Sequence, residues 1–333
     1  MIISAIIPCY QEKRTIDKVL FQMSNQECHG FKLEILAIDG GSTDGTREII
    51  EDWMLKDDRI ILIPNPKKTA NHAFNLGIEH SKGSHFALIN AHTYYPTDYL
   101  KILWETMQAT RAVGVSGRVL PVLEATDWES RLVYCISTSA FGVSSQSYRI
   151  GKSGFTDSVS LPLFEKKAVQ SVGGYHPDLV RNQDNDMNYK LVEAGHKLYV
   201  TADTSASYHP PRSFQKLLRY AVKSGVWNTK TLLMNIPCMK WFHFFPGLFF
   251  AGELIGLLAY ALSTFHPIFS ILGNVWLFVN GLYFILSMFF TFSHPKAQGA
   301  IKFLLPFGFL FFHLAYGLGN VIGLAYKRKI PNF

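Results

Sequence analysis

Three short segments carry polar side chains where chemistry is done. The first is Asp39-Gly40-Gly41-Ser42, which closes the apolar run Leu33 to Ile38. A carboxylate at the end of a buried strand is expensive unless it leaves the sheet toward water or a ligand. Asp39 can therefore accept from the imide N–H of a uracil or the amide edge of another base. The alternative is a turn residue capping the next helix, a task for which Asp44 is better placed. The second segment is Asn90-Ala91-His92, just past the apolar run His85 to Ile89. Alternate residues share a face, so Asn90 can meet hydroxyls where a neutral His92 can ligate a divalent metal. A solvated or capping histidine is the competing assignment. The third is Arg181 to Leu191, in which Met187, Leu191 and Val192 start a helix ending near Gly195. Asp184 and Asp186 then fall in the loop or first helical turn. They suit either an N-cap, worth about 1 kcal/mol, or a general base at the mouth of a site.

The elements that must position these side chains alternate. Ile2 to Pro8 is a short Ile-rich strand, followed by the polar break Tyr10-Gln11-Glu12 and an apolar-periodic helix from Ile16 to Met23. Leu33 to Ile38, Arg59 to Ile63 and His85 to Ile89 are further strands. Thr46 to Leu55, with Thr43 or Asp44 as its cap, Ala70 to His80 and Asp98 to Ala109 are further helices. Repeated β–α alternation implies an α/β fold with a mainly parallel sheet covered on both faces. Ligands of such sheets gather at the carboxyl ends of strands, where all three polar segments stand. No Walker loop and no G-x-G-x-x-G occurs, so the Gly-rich turn 39–45 is not a phosphate cradle by pattern.

The rest of the chain is apolar. Of 333 residues, 48% are hydrophobic and 17% charged, and Phe occurs 26 times; a soluble chain carries about 25% charged residues. Roughly 242–265, 268–292 and 300–326 each reach the ~20 residues that cross a hydrocarbon core. Three consecutive apolar helices leave too little polar surface for a soluble core. The first contains His243, Pro246 and Glu253, so it either crosses or lies in the interface, and two or three crossings stay open. Residues 1–229 carry a net charge of +1 and residues 230–333 carry +6. The nearly neutral N-terminal part is a poor polyanion binder, which argues against nucleic acid. The excess cations flank apolar segments, as on a cytoplasmic membrane face. Cys9, Cys28, Cys135 and Cys238 have no paired spacing, against a disulfide framework or thiolate zinc site and for a reducing compartment. Met1 to Pro8 is too short for a signal peptide. The expectation is a domain over 1–229 facing the cytoplasm and a multi-pass region over 230–333 in the cytoplasmic membrane.

Taken in order, the motifs resemble one family. Ile7-Pro8-Cys9-Tyr10-Gln11-Glu12, Ala37 through Thr46, Asn65-Pro66-Lys67-Lys68, Asn75-Leu76-Gly77-Ile78, Asn90-Ala91-His92, Arg181 to Asp184 and Pro211-Arg212-Ser213 are similar to the family 2 inverting glycosyltransferases of the GT-A fold. Within that family they are closest in pattern to the ExoA-like subgroup of exopolysaccharide (succinoglycan) glucosyltransferases. The resemblance runs from Ile3 to about Gly225. It implies a Rossmann-like GT-A domain binding a nucleotide-diphosphate sugar, usually a uridine one. Pro8, Tyr10 and Glu12 match the donor motif near base and ribose, Asp39 the base-recognising acid and Lys68 a basic position at the donor. Asn90 and His92 match the Asp-x-Asp that holds sugar and metal, and Asp184 matches the catalytic base. Gln183, Asp186, Arg212 and Arg219 are candidates for the acceptor or diphosphate.

Two departures stand out. Asp-x-Asp is Asn-Ala-His, although Asp-Ala-His looks usual for the subgroup, and Gln183 replaces the glutamate before the base. A lone imidazole favours Mn²⁺ over Mg²⁺, which prefers hard oxygens. Close approach of Asp184 and Asp186 would raise the pKa of one of them. The segment from Phe141-Gly142-Val143 to Asp157-Ser158-Val159 also resembles the subgroup, and Gly151 to Gly154 is either a loop that closes over the donor or a surface hairpin. Tethering to a bilayer suits a lipid-linked acceptor: a polyprenyl-diphosphate oligosaccharide or, alternatively, a polyprenyl monophosphate. The other class is a catalytically impaired donor-binding scaffold subunit.

Overall fold

The computed structural model describes residues 1–123, 127–142, 152–211 and 213–325. The chain forms two compact units, Met1–Leu120 with Gln146–His209, and Pro121–Ser145 with Pro210–Phe333.

The first unit is built on a sheet whose strands are the apolar runs. β1 (Ile2–Cys9), β2 (Lys32–Asp39), β3 (Ile60–Pro64) and β4 (His85–Leu88) lie in the order β3-β2-β1-β4, all parallel. The helices between them are α1 (Ile16–Ser24), α2 (Thr46–Met54) and α3 (Ala70–His80); α4 (Tyr99–Thr110) follows β5 (Thr93–Tyr94). α1 buries Ile16, Val19, Leu20 and Met23, the i, i+3, i+4, i+7 stripe of an amphipathic helix. Ile3, Ala5 and Ile7 point to one face of the sheet and pack against α1 and α4, while Ile6, Leu36 and Ile38 point to the other and pack against α3. Both faces are thus covered, which is why β1 and β2 are almost uniformly apolar. Of their two buried acids, Glu34 accepts from the Ser4 hydroxyl, Lys82 N–H and Gly83 N–H, fastening β1 and β2 to the α3–β4 turn.

The other half of the sheet is mixed. β8 (Leu163–Glu165) runs antiparallel between β4 and β6 (Gly114–Pro121); β9 (Leu198–Tyr208) pairs antiparallel with β5 and with β7 (Gly154–Thr156). α6 (Lys166–Ser171) and α7 (Gln183–Glu193) lie between β8 and β9. The cap of α2 differs from expectation. Gly45 holds the N-cap position in the left-handed region at φ 103°, and Asp44, one residue earlier, accepts from the Thr46 N–H and hydroxyl.

The second unit is helical: α5 (Trp128–Thr138), α8 (Phe214–Leu233), α9 (Phe245–Ala261, entered through a 3₁₀ turn at Trp241–Phe244), α10 (Pro267–Ser293) and α11 (Ile301–Ala325). Helix α8 runs through position 229. Trp241–Ala261, Pro267–Ser293 and Ile301–Ala325 are each long and apolar enough to cross a membrane. Small residues bring α8 and α11 together: a Cβ on Gly225 would sit 2.1 Å from the Tyr316 carbonyl oxygen, and one on Gly319 would sit 2.2 Å from that of Val222. Asn320 donates to Gly225 O, and Thr229 donates to Asn320 O. Glu253 on α9 accepts from Trp276 Nε1 and Asn280 Nδ2 on α10, at 2.9 and 3.0 Å, so the lone acid of the apolar helices is hydrogen-bonded within the unit.

Candidate active site

Strand order reverses between β1 and β4, and a crevice opens beyond their carboxyl ends. A cleft of about 290 Å³ lies there, wholly within the first unit. Its walls come from the β1 end (Pro8 to Tyr10, with Glu12), the loop before α3 (Asn65, Lys68, Thr69), the β4 end (Asn90 to His92), Leu161, and the start of α7 (Gln183, Asp184). Of the residues singled out in the sequence, Pro8, Tyr10, Glu12, Lys68, Asn90, His92, Gln183 and Asp184 meet here.

The loops are held by local chemistry. Gln11 N–H donates to the Ser42 hydroxyl, Glu12 N–H to the Thr46 hydroxyl and Lys13 N–H to Asp44, so the β1 and β2 loops form one rim. Tyr10 lies exposed on that rim against Gly40, where a Cβ would come 3.0 Å from its ring. Lys68 Nζ stands 5.7 Å from the Tyr10 ring centroid, a cation beside an aromatic face that can stack a base. Gln11, Lys68, Leu161 and Asn182 all adopt positive φ, at 59°, 60°, 53° and 64°, beside or within the cleft wall. Left-handed backbone at non-glycine residues costs energy and clusters at functional sites.

His92 and Glu12 form a pair, with Nδ1 3.0 Å from Oε1. The second Glu12 oxygen accepts from the Thr15 hydroxyl. The carboxylate holds His92 above the ordinary imidazole range, chiefly through this hydrogen bond. It also fixes the ring, leaving Nε2 for a ligand. Among the described residues no three His, Cys, Asp or Glu side chains gather as a metal cluster. The donor set therefore fits a cation that takes one imidazole from the protein and its remaining ligands from a bound diphosphate. Asn90 is set by its own N–H, which donates to the buried Tyr95 hydroxyl at 2.8 Å.

Asp184 stands in the first turn of α7, after Asn182 at the N-cap position. Burial pushes its carboxyl up to about 6, winning over the favourable helix N-terminus. The shift owes nothing to Asp186. That residue is buried 2.6 Å from Lys190 Nζ and does not line the cleft. Asp39 lies just behind the wall. Its carboxylate accepts from Gly41 N–H, Ser42 N–H and the Ser42 hydroxyl. Arg219 is exposed on α8 of the second unit. Arg212 and residues 143–151 lie outside the described residues; of the Gly151-to-Gly154 segment expected to close over the donor, Ser153 accepts from Ala202 N–H through its hydroxyl and Gly154 opens β7, paired with β9.

Two residues escaped the sequence reading of roles, one in the cleft wall and one beneath it. Asn65 is 3% exposed and donates to Thr69 O, while its Oδ1 has no hydrogen-bond partner among the described residues. Tyr95 sets Asn90 from beneath. An Asn before Pro carries no periodic signal, and a buried Tyr reads as core.

The family Glycosyl transferase family 2 matches residues 4–166 by its sequence model. A dolichyl N-acetyl-α-D-glucosaminyl phosphate 3-β-D-2,3-diacetamido-2,3-dideoxy-β-D-glucuronosyltransferase of Methanococcus voltae is 31% identical over 67% of this chain and 71% of its own. The succinoglycan biosynthesis protein ExoA of Rhizobium meliloti is 31% identical over 62% of each chain. Among solved structures, the mannosyltransferase PcManGT from Pyrobaculum calidifontis, in complex with GDP-Man and Mn²⁺, superposes with a TM-score of 0.52 at 19% identity, over 69% of this chain and 64% of that one. The mixed sheet with a cleft at its β1/β4 switch point is the GT-A arrangement, and the protein is a glycosyltransferase. The chain belongs to glycosyltransferase family 2, with ExoA among its relatives.

Proposed function

We propose that the protein transfers a hexose, with inversion, from a uridine-diphosphate sugar to a lipid-linked saccharide at the cytoplasmic face of a membrane, during polysaccharide or glycoconjugate assembly. One observation carries this reading: an acid raised to about 6 by burial shares a single cleft with Tyr10, Lys68, Asn90 and His92. A base with a pKa near the working pH is suited to general-base catalysis.

In this mechanism Tyr10 stacks the base and Asn65 meets its polar edge, while Asp39, behind the wall, would reach the base only by exchanging its bonds to Gly41 and Ser42 for it. Asn90 holds hydroxyls of the ribose or sugar. Asp184 takes the proton of the acceptor hydroxyl as that oxygen bonds to the anomeric carbon from the face opposite the diphosphate. The anomeric C–O bond breaks, and its electron pair leaves with the nucleoside diphosphate. Lys68 lies where a cation can meet that charge. A divalent ion, Mn²⁺ rather than Mg²⁺ because the side chain offered to it is an imidazole, would be held by His92 Nε2 and the diphosphate and would neutralise the leaving group.

The Methanococcus voltae relative is named for a dolichyl-phosphate-linked sugar acceptor and ExoA for succinoglycan, and the three apolar helices suit such a substrate. A polyprenyl monophosphate is the second acceptor consistent with the same site. The test is transfer from an α-linked uridine-diphosphate hexose to isoprenoid-linked acceptors, with the product anomer read by NMR. A β-linked product supports inversion by Asp184. An α-linked product overturns it.

A further inference from the structure

The three apolar helices of the second unit are covered differently. α9 and α10 are exposed around most of their circumference, with Leu254, Ile255, Leu257 and Leu258 on one, and Val275, Leu277, Phe278 and Val279 on the other. A helix apolar all round suits hydrocarbon on every side. α11 instead exposes one stripe, Phe303, Phe307, Phe311, Leu318, Val321 and Leu324, at helical spacing. Its remaining faces are covered by α5, α8, α9 and α10.

α8 is not a membrane helix by composition. Its outer face exposes Lys216, Arg219 and Lys223, and the helix contains no acid. It runs parallel to α11: Val222 lies against Gly319, Gly225 against Tyr316 and Gly319, and Val226 and Thr229 against Gly323, while Leu217 and Ala221 share a core with Phe309 and Phe312. That register sets Lys216, Arg219 and Lys223 at about the level of Phe311, Leu314 and Leu318, the middle of α11. A bilayer-crossing α11 would carry three exposed cations toward the hydrocarbon mid-depth, which is costly. A helix lying in the interface buries one apolar face to a depth of about 5–10 Å and leaves its polar companions among the headgroups.

We propose that α11 lies in the plane of the membrane interface, its Phe303-to-Leu324 stripe set into the lipid, and that only the α9–α10 hairpin crosses. The occupant of the stripe is the acyl–headgroup boundary of the same bilayer the hairpin enters. This arrangement places Lys240 before α9, Lys296 and Lys302 after α10, and the Lys327-Arg328-Lys329 run after α11 on one side. Three crossings would move the last cluster to the opposite side, and an interfacial α9 would move Lys296 and Lys302, each against the positive-inside tendency. The inference is independent of the donor and acceptor assigned above.

Single-cysteine labelling in oriented membrane vesicles tests it, in a Cys28→Ser background because Cys9, Cys135 and Cys238 are buried. The positions are Thr264→Cys between α9 and α10, Gln298→Cys between α10 and α11, and Asn332→Cys. An impermeant maleimide is expected to label 298 and 332 from one side and 264 from the other. Labelling of 332 together with 264 overturns the interfacial α11, and labelling of 264 together with 298 overturns the crossing hairpin. Nitroxides at 303, 307, 311 and 318 give an independent readout. Near-constant depth along α11 is expected, and a depth that peaks at its centre refutes the proposal.

Discussion

Replacing Asp184 by Asn separates catalysis from stability, because the same burial that tunes the base strains the fold. The carboxyl sits at about 6 in the native protein, against about 4 in an unfolded chain. Between those values the native state holds a proton that the unfolded state has released, so stability falls as pH rises through this window and stays lower above it. That difference is worth on the order of 3 kcal/mol. Asn cannot ionise, so Asp184→Asn should gain about this amount at pH 7.5 and almost nothing at pH 4. In thermal unfolding of the detergent-solubilised protein the gain is on the order of 5 °C at neutral pH, vanishing in acid. Transfer should fall ~10²–10⁴-fold over the same neutral range. A variant whose stability gain does not change with pH, or that transfers sugar at near the parent rate, would remove Asp184 from the role of buried base.

Three further outcomes follow from the geometry. The wild-type transfer rate should climb tenfold per pH unit below about 6 and level off above it, since the base acts deprotonated; a profile flat from pH 5 to 8 would remove Asp184 from that role. Glu12→Gln, which disturbs the partner of His92, should weaken Mn²⁺-dependent nucleotide binding by about 10–100-fold in calorimetric titration, and unchanged Mn²⁺ dependence would detach the pair from metal binding. Gly319→Leu forces a side chain onto the Val222 carbonyl and should shift the protein to aggregates on sizing, whereas Gly281→Leu, with nothing within 4 Å of its Cβ, should elute as the parent does.

The parallel half of the sheet was legible because its strands are short apolar runs and its helices carry a 3.6-residue stripe; α3 spans Ala70–His80 as its pattern predicts. The antiparallel half was not. β8 and β7 are three residues each, too short to show a period, and β8 is set between β4 and β6 by tertiary pairing. The grouping of α5 and α8 with the apolar helices was equally hidden, since both are ordinary amphipathic helices whose partner is revealed only by the glycines that let α8 and α11 touch. At the site, motif order located the cleft residues but not their couplings. The Glu12–His92 pair joins residues 80 apart in the chain. The elevated Asp184 arises from burial, which spacing does not encode, rather than from the neighbouring Asp186 that the sequence offers as the cause.

Donor binding in the β1/β4 cleft underlies every role proposed above. Thermal unfolding of the detergent-purified protein, with uridine, guanosine and thymidine diphosphate sugars each with and without Mn²⁺, tests it most directly. A ligand at about 100 times its Kd stabilises by ~2.7 kcal/mol. A uridine-diphosphate hexose is expected to raise the midpoint, more so with Mn²⁺, and Tyr10→Ala to abolish the rise. A well-folded protein that responds to none of these sugars would contradict it.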